Sequence, residues 1–354
     1  MEKYDLGSHG GLEEIADGFN ALALKFPKKF AQLIQAVKSV GDYLYNAKNC
    51  QFCFDIEGPV EDSKYIIYGI PNIKNCYDIY GTGAGAELCY EILGCGLSLQ
   101  NVAFSVAYNS HSLRYSLFCH DSHNLFACIG LRSKQYCILN KQYTKEEYES
   151  LVPRIIKHMS DMPYVDQKGR IYRYGEFFPP ELSPFAYNET IAQEYFPLTK
   201  AEAIEQGYRW KDPDTKEYQV TLLPAKLPDH IRDVKDDILK ETIGCAHEGR
   251  CTHQCTTAFR IIPEELSFYR RMNLPLPRLC PNCRHYERLA QRNPLKLWYR
   301  RCQCVGEKSE NGIYQNTVQH QHGAGKCLNE FETSYAPERK EIIYCDGCYQ
   351  AEVA

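Results

Sequence analysis

Eight short segments between residues 51 and 141 constrain this chain more than any other feature. They start at Gln51, Ser63, Lys74, Glu87, Asn101, Ser112, Asn124 and Lys134, 10 to 14 residues apart. Each alternates aromatic or cysteine positions and closes on glycine or polar turn residues, and no helical pattern lies between them. Near-regular short strands of this kind predict a β-solenoid or a meander. The solenoid is the preferred expectation, because a parallel coil stacks like side chains and so accommodates an internal ladder of cysteine and tyrosine. Two or three strands per coil are expected, and a twisted antiparallel sandwich is the competitor.

The fold class is therefore mixed and mainly β: N-terminal helices, a β-solenoid-like repeat domain, and a C-terminal tandem zinc-ribbon module. Residues 1–48 read as helical, since Leu12, Ile15, Phe19, Leu22 and then Phe30, Leu33, Ile34, Val37 recur at three- and four-residue steps, with Pro27 separating two helices. The repeat domain spans 49–143. Residues 144–240 form a connector rich in proline and aromatics, opened by a capping box from Thr144 to Glu147. Its aromatic content, together with prolines such as Pro213, predicts an extended segment docked on other elements. Residues 241–354 are the zinc-binding module.

Ten of the eighteen cysteines fall in that module. Cys251-Thr-His-Gln-Cys255 is followed by Cys280-Pro-Asn-Cys283, and Cys302-Gln-Cys304 by Cys327 and Cys345-Asp-Gly-Cys348. Paired knuckles separated by about 15–25 residues are the sequence form of a structural zinc site. Two structural ions are expected. The first uses Cys251, Cys255, Cys280 and Cys283, although Cys245 or His247 could replace a knuckle cysteine. The second uses Cys327, Cys345, Cys348 and, as fourth ligand, Cys304, with Cys302, His320 and His322 as alternatives. A redox role for Cys280-x-x-Cys283 lacks its expected βαβ context.

Net charge is −4, yet residues 256–301 carry nine arginines and Lys296 against three glutamates, a local +7. Aromatic residues are interleaved with them. Guanidinium groups fork onto phosphates and rings stack on unpaired bases. Arg270, Arg271, Arg284, Arg288, Arg292, Arg300 and Arg301 are thus candidate nucleic-acid contacts, with Trp298 and Tyr299 as stacking candidates. A set of intramolecular salt bridges is the plainer alternative.

Other motifs carry less. Gly81-Thr-Gly83-Ala-Gly-Ala86 fits a loose dinucleotide pattern but lacks the following helix, so it is read as a turn of the array. Cys119, His120, His123 and Cys128 could bind metal, but alternation places some of them on opposite faces. No catalytic motif is found. No apolar run approaches the ~18 residues of a membrane span. The acidic N-terminus shows no export signal, so a cytoplasmic location is expected.

The C-terminal part resembles a family of uncharacterised proteins encoded in candidate-phylum bacteria. The resemblance rests on Phe178–Thr190, Ala258–Leu266, Pro275–Arg284, Phe331–Arg339 and Tyr344–Gln350. Cys255–Arg284, with its Cys-Pro-Asn-Cys-Arg ending, is also similar to a probable bacterial zinc-ribbon domain. The knuckles Cys251, Cys255, Cys280 and Cys283 depart from that pattern in having three residues between Cys251 and Cys255. The resemblance implies zinc at Cys251, Cys255, Cys280 and Cys283, and brings no known activity with it. The expectation is a zinc-stabilised, non-catalytic protein binding RNA or single strands, alone or within a ribonucleoprotein. A protein-binding scaffold is the alternative, and an enzyme with its site in the repeat groove or at an open metal site is the second.

Overall fold

The computed structural model describes residues 5–94, 97–212 and 218–353; Pro213 lies outside them. Helix α1 (His9–Ala23) is capped by the Ser8 hydroxyl, which accepts from the Gly11 amide. The second expected N-terminal helix is absent. Lys28–Lys29 and Leu33–Ile34 are strands, and Leu33 already pairs with Leu44. The misreading has a physical cause. Gln35 and Lys38 adopt left-handed backbone angles, and corners every three residues give apolar positions a spacing that imitates a helix.

A parallel β-solenoid follows, to Gln142. Register runs Val40, Gln51, Lys64, Tyr77, Tyr90, Ala103, Arg114, Phe126, Ile138. Each expected segment therefore makes a whole coil of 11 to 13 residues, not a third or half of one, and the sandwich alternative is excluded. The coil is this small because its corners are tight. One corner stacks Phe52, Tyr65, Asp78, Glu91, Phe104, Tyr115, Ala127 and Leu139, all at φ of 48–58°. Another stacks Asn49, Asp62, Asn75, Leu88, Asn101, Ser112, Asn124 and Tyr136, again all left-handed. Asparagine and aspartate tolerate that region best among non-glycine residues.

The interior is one side chain thick and filled by Ile66, Ile79, Ile92, Leu113, Leu125 and cysteines. Small inward residues also satisfy the backbone. The Cys50 thiol donates to the Lys48 and Val60 carbonyls, and Cys76 to Lys74 and Ala86. At the stacked position between them, the Ser63 hydroxyl donates to Glu61 and accepts from the Cys76 amide. Serine and cysteine are interchangeable donors here. Cys119 and Cys128 point inward likewise, whereas His120 stacks on Tyr108 and His123 on His111. The alternation argument against a metal site there is met.

Both solenoid ends are closed. At the far end Gln135–Ile138 pairs antiparallel with Lys141–Gln142. Helix α2 (Lys145–Asp161), with the expected Thr144–Glu147 capping box, lays Tyr148 and Val152 on Phe104, Tyr115, Phe126 and Ile138. At the near end Lys28–Lys29 pairs parallel with Ile343–Tyr344, more than 300 residues on. Buried Asp42 accepts from Ser334 there, and Lys29 meets Asp346 at 2.7 Å.

The connector contains helices α3 (Ala192–Tyr195) and α4 (Lys200–Glu205) and is docked as expected, with Tyr174 and Phe178 against Tyr115 and Tyr195 against Tyr68 and Tyr80. Beyond it lie α5 (Pro263–Met272), α6 (Pro281–Ala290) and α7 (Asp346–Val353). No helix among the described residues is long and apolar enough to cross a membrane.

The exposed corner residue Asn101 (φ 52°) tests the coil geometry. Asn101→Val should destabilise by about 1–2 kcal/mol, because a β-branched side chain is strained at a left-handed corner, whereas Asn101→Gly should be near neutral. Equal melting temperatures for the two variants in thermal denaturation would contradict the account.

Candidate metal centres

Two modules, 243–290 and 298–353, are built alike. Each opens with an antiparallel pair whose first strand runs into a cysteine: Gly244 pairs with Ala258 before Cys245, and Arg301 with Glu330 before Cys302. Each ends in a Cys-x-x-Cys that starts a helix, α6 or α7. The backbone ties correspond one for one. Cys245 donates its amide to Thr257 and Cys302 to Asn329; Ala246 donates to Arg278 and Gln303 to Ile343. The amide of Cys280 donates to the Cys245 sulfur at 3.3 Å, and that of Cys345 to the Cys302 sulfur at 3.2 Å.

This frame brings two sets of side chains together in each module, each set with its ligand atoms within 4.8 Å of one another. In the first module they are Cys245, Cys255, Cys280, Cys283 and then His247, Cys251, His253, Cys283. In the second they are Cys302, Cys327, Cys345, Cys348 and then Cys304, His320, His322, Cys348. These groups could hold metal ions. Sulfur–sulfur distances of 3.6–4.0 Å within them match the edge of about 3.8 Å for a tetrahedral site with metal–sulfur bonds of about 2.3 Å. The ten C-terminal cysteines form no disulfide.

The ligand sets differ from expectation at two positions. The all-cysteine groups contain Cys245 and Cys302, and it is Cys251 and Cys304 that face the histidines. The cause is local: in Cys245-x-His247 and Cys302-x-Cys304 alternate residues leave the chain toward different groups. Cys255, Cys280, Cys283, Cys327, Cys345 and Cys348 stand where the spacing put them. His253 escaped the sequence reading, although the run Cys251-x-His253-x-Cys255 marks it.

The surroundings suit cation binding. His247 Nδ1 and His253 Nδ1 are buried with no hydrogen-bond partner among the described residues, and His253 is held flat on Tyr286. His320 turns Nδ1 toward the Cys304 sulfur, 3.1 Å away, while its Nε2 meets the buried Glu352 carboxylate at 2.7 Å. His322 turns Nε2 toward the Cys348 sulfur, and its Nδ1 lies 2.9 Å from the Gly325 carbonyl. A carboxylate or carbonyl behind a ligating imidazole is the usual means of fixing its tautomer. The amides of Asn316 and Asn329 donate to the Cys304 and Cys345 sulfurs, both at 3.2 Å.

The thiols cannot all ionise by themselves. Cys345 is drawn down to about 4, chiefly by its hydrogen bond with Cys302. Burial opposes the Cys280 thiolate, but hydrogen bonding from Thr256 brings it to about 6. Cys283 and Cys348 are pushed up, by burial first. Neighbouring buried thiolates need a cation among them.

The arginine-rich stretch is largely engaged within the protein. Arg270 pairs with Asp236, Arg284 with Glu265, Arg292 with Asp55 on the solenoid, and Arg301 with Glu330. Arg300 donates to the Tyr335 and Ala336 carbonyls. Tyr299 bonds Glu330, and Trp298 lies under Lys296. Arg271 lies over the Phe268 ring, and Arg270, Arg271, Arg288, Arg292 and Arg301 are all exposed.

A different feature lies on the solenoid face, unmarked by any motif. Between the part covered by α2 and the part covered by Arg292 and Ser334 runs a groove of about 690 Å³. Its floor includes Phe52, Tyr65, Asp78 and Glu91 from one corner column and Phe54, Ile67, Tyr80 and Leu93 from an adjacent strand column; Phe177, Phe196 and Leu295–Leu297 form its rim. Burial, first of all, raises the pKa of both Asp78 and Glu91. Glu91 Oε2 is buried with no hydrogen-bond partner among the described residues.

Glu352→Gln should weaken metal binding by the second module about 10–100-fold in chelator competition, because His320 loses its charged partner. Glu352 is held at about 2: burial opposes this, but hydrogen bonds from Thr317, His320 and Tyr314 prevail. Its contribution is thus complete above the ordinary value of 4.5 and is lost as pH falls toward 2. Unchanged affinity in the variant would remove Glu352 from the metal site. Compared with protein-family models, curated proteins and solved structures, the chain matches none.

Proposed function

We propose that this is a zinc-stabilised, non-catalytic scaffold that binds an extended basic peptide segment in the solenoid groove. One observation carries the proposal. The corner column that reads Phe52, Tyr65, Asp78, Glu91, Phe104, Tyr115 changes from rings to carboxylates in two of the four coils that floor the groove. Glu91 is half-buried, and a carboxylate oxygen buried without a donor, as its Oε2 is, is costly unless a cation meets it. Lys64 already lies over the Phe52 and Tyr65 rings and offsets Asp78, whereas Asp78 and Glu176 only add to the negative field at Glu91. A lysine or arginine side chain would supply the missing charge, and apolar neighbours would suit the walls formed by Phe54, Ile67, Leu93 and Phe177. The modules would be clamps: zinc fits sites of four thiolates, or two thiolates and two imidazoles. Free thiols of this kind suit a reducing cytoplasm.

Nucleic acid is the less favoured ligand. The groove acids repel phosphate, and most of the arginines that would bind it have internal partners. A second reading, catalysis by the Asp78–Glu91 pair, is favoured by the raised pKa of both carboxyls in a cavity.

Fluorescence anisotropy on the full chain separates these. A labelled peptide alternating lysine with leucine and phenylalanine should bind, and the double variant Asp78→Asn, Glu91→Gln should weaken it tenfold or more, about 1.4 kcal/mol. Binding of oligouridylate that falls steeply between about 50 and about 200 mM salt, with the peptide unbound, would instead favour nucleic acid. Cleavage of bound peptide, abolished by Glu91→Gln, would favour the enzyme.

A further inference from the structure

We infer that each module holds two metal ions joined by one bridging thiolate, Cys283 in the first and Cys348 in the second, so that the chain carries four ions. The inference deepens the zinc assignment and rests on it.

Cys283 belongs to both ligand groups of its module, as Cys348 does in its own. In each case it is the second cysteine of the Cys-x-x-Cys and lies inside the first turn of a helix, α6 or α7. Its Sγ lies 3.8 Å from Cys245, a member of one group, and 3.6 Å from Cys251, a member of the other. A thiolate sulfur has lone pairs for two metals, and four-coordinate zinc completes its tetrahedron on either side.

Charge and hydrogen bonding both require the second ion. Each module supplies five cysteines and two histidines. With every thiol ionised, a single divalent ion would leave about −3 in a buried site, and two leave about −1. With a metal only in the four-cysteine group, His247 Nδ1 and His253 Nδ1 would stay buried and unsatisfied. In the second module the ring nitrogens opposite the metal-facing ones are fixed by Glu352 and the Gly325 carbonyl. That backing is of use to a ligand.

The repetition is independent support. Along the chain the ligands serve the groups in one order in both modules: four-cysteine group, then three positions of the mixed group, then two of the four-cysteine group, then the bridge. Loop lengths differ, with three residues between His247 and Cys251 and fifteen between Cys304 and His320. Histidine and cysteine also exchange places within the mixed group. An arrangement kept through such changes is held by what it binds.

Metal content of the purified full chain tests the proposal. Four zinc ions per chain are expected. His253→Ala, which leaves the first four-cysteine group whole, should contain three, and Cys283→Ser should contain two. After exchange with cadmium-113, the unaltered protein should give four resonances in two pairs, each pair split by cadmium–cadmium coupling through the shared sulfur. Two zinc ions per chain, unchanged by His253→Ala, would overturn the proposal and leave the zinc assignment standing. Four uncoupled cadmium resonances would overturn the bridge. A chain purified without metal, and taking none up, would overturn the zinc assignment itself.

Discussion

The solenoid depends on a backbone constraint: a residue in the left-handed region at nearly every third or fourth position. Asn49, Phe52, Asp55 and Gly58 turn one coil, and Asp62, Tyr65, Tyr68 and Asn72 turn the next. Corners this frequent leave room for only one layer of inward side chains. That is why the interior takes isoleucine, leucine, valine, alanine, cysteine and serine, while rings such as Phe52 and Tyr65 stand on an outer row. Thiols and hydroxyls bond carbonyls two residues back, so a thin core satisfies its own backbone. Because register is kept from coil to coil, each outer position becomes a column, and a change of residue type along a column marks a place on the surface.

The sequence disclosed the repeat, its span and the paired cysteines. It hid what depends on corner geometry. The steps of Phe30, Leu33, Ile34 and Val37 fit a helix and a three-residue solenoid side equally well; only the angles at Gln35 and Lys38 decide between them. The recurrence of asparagine and aspartate at 49, 62, 75, 101 and 124 was the available clue to the coil length. In the metal modules the Cys-x-x-Cys pairs were plain. Alternation in Cys245-x-His247 and Cys251-x-His253-x-Cys255 sends neighbouring ligands to different groups, and spacing alone does not say which. Asp78 and Glu91 belong to no motif and stand out only once the columns are aligned.

The arginines also have a structural role within the chain. Nine fall in 46 residues, and most of them bond within the protein. Arg292 ties the end of α6 to Asp55 and Tyr68 on the solenoid, and Arg300 holds the turn at Tyr335. Guanidinium groups suit this role because their planar forks bond carbonyls and carboxylates while covering aromatic rings. The cysteine-rich modules are thus tied to the repeat domain, and the rim of the groove comes from the connector and from the Leu295–Leu297 link between the modules.

The pairing of Lys28–Lys29 with Ile343–Tyr344 has a consequence for how the protein is made. The strand that seals the first coil lies directly before Cys345, so it leaves the ribosome after the whole solenoid. Until then the first coil carries an open parallel edge, the kind of surface on which strands of other chains add. The sealing residues lie directly before Cys345, a member of the second module's four-cysteine group. A nascent chain is therefore exposed to aggregation through its first coil rather than its last until its final residues are made.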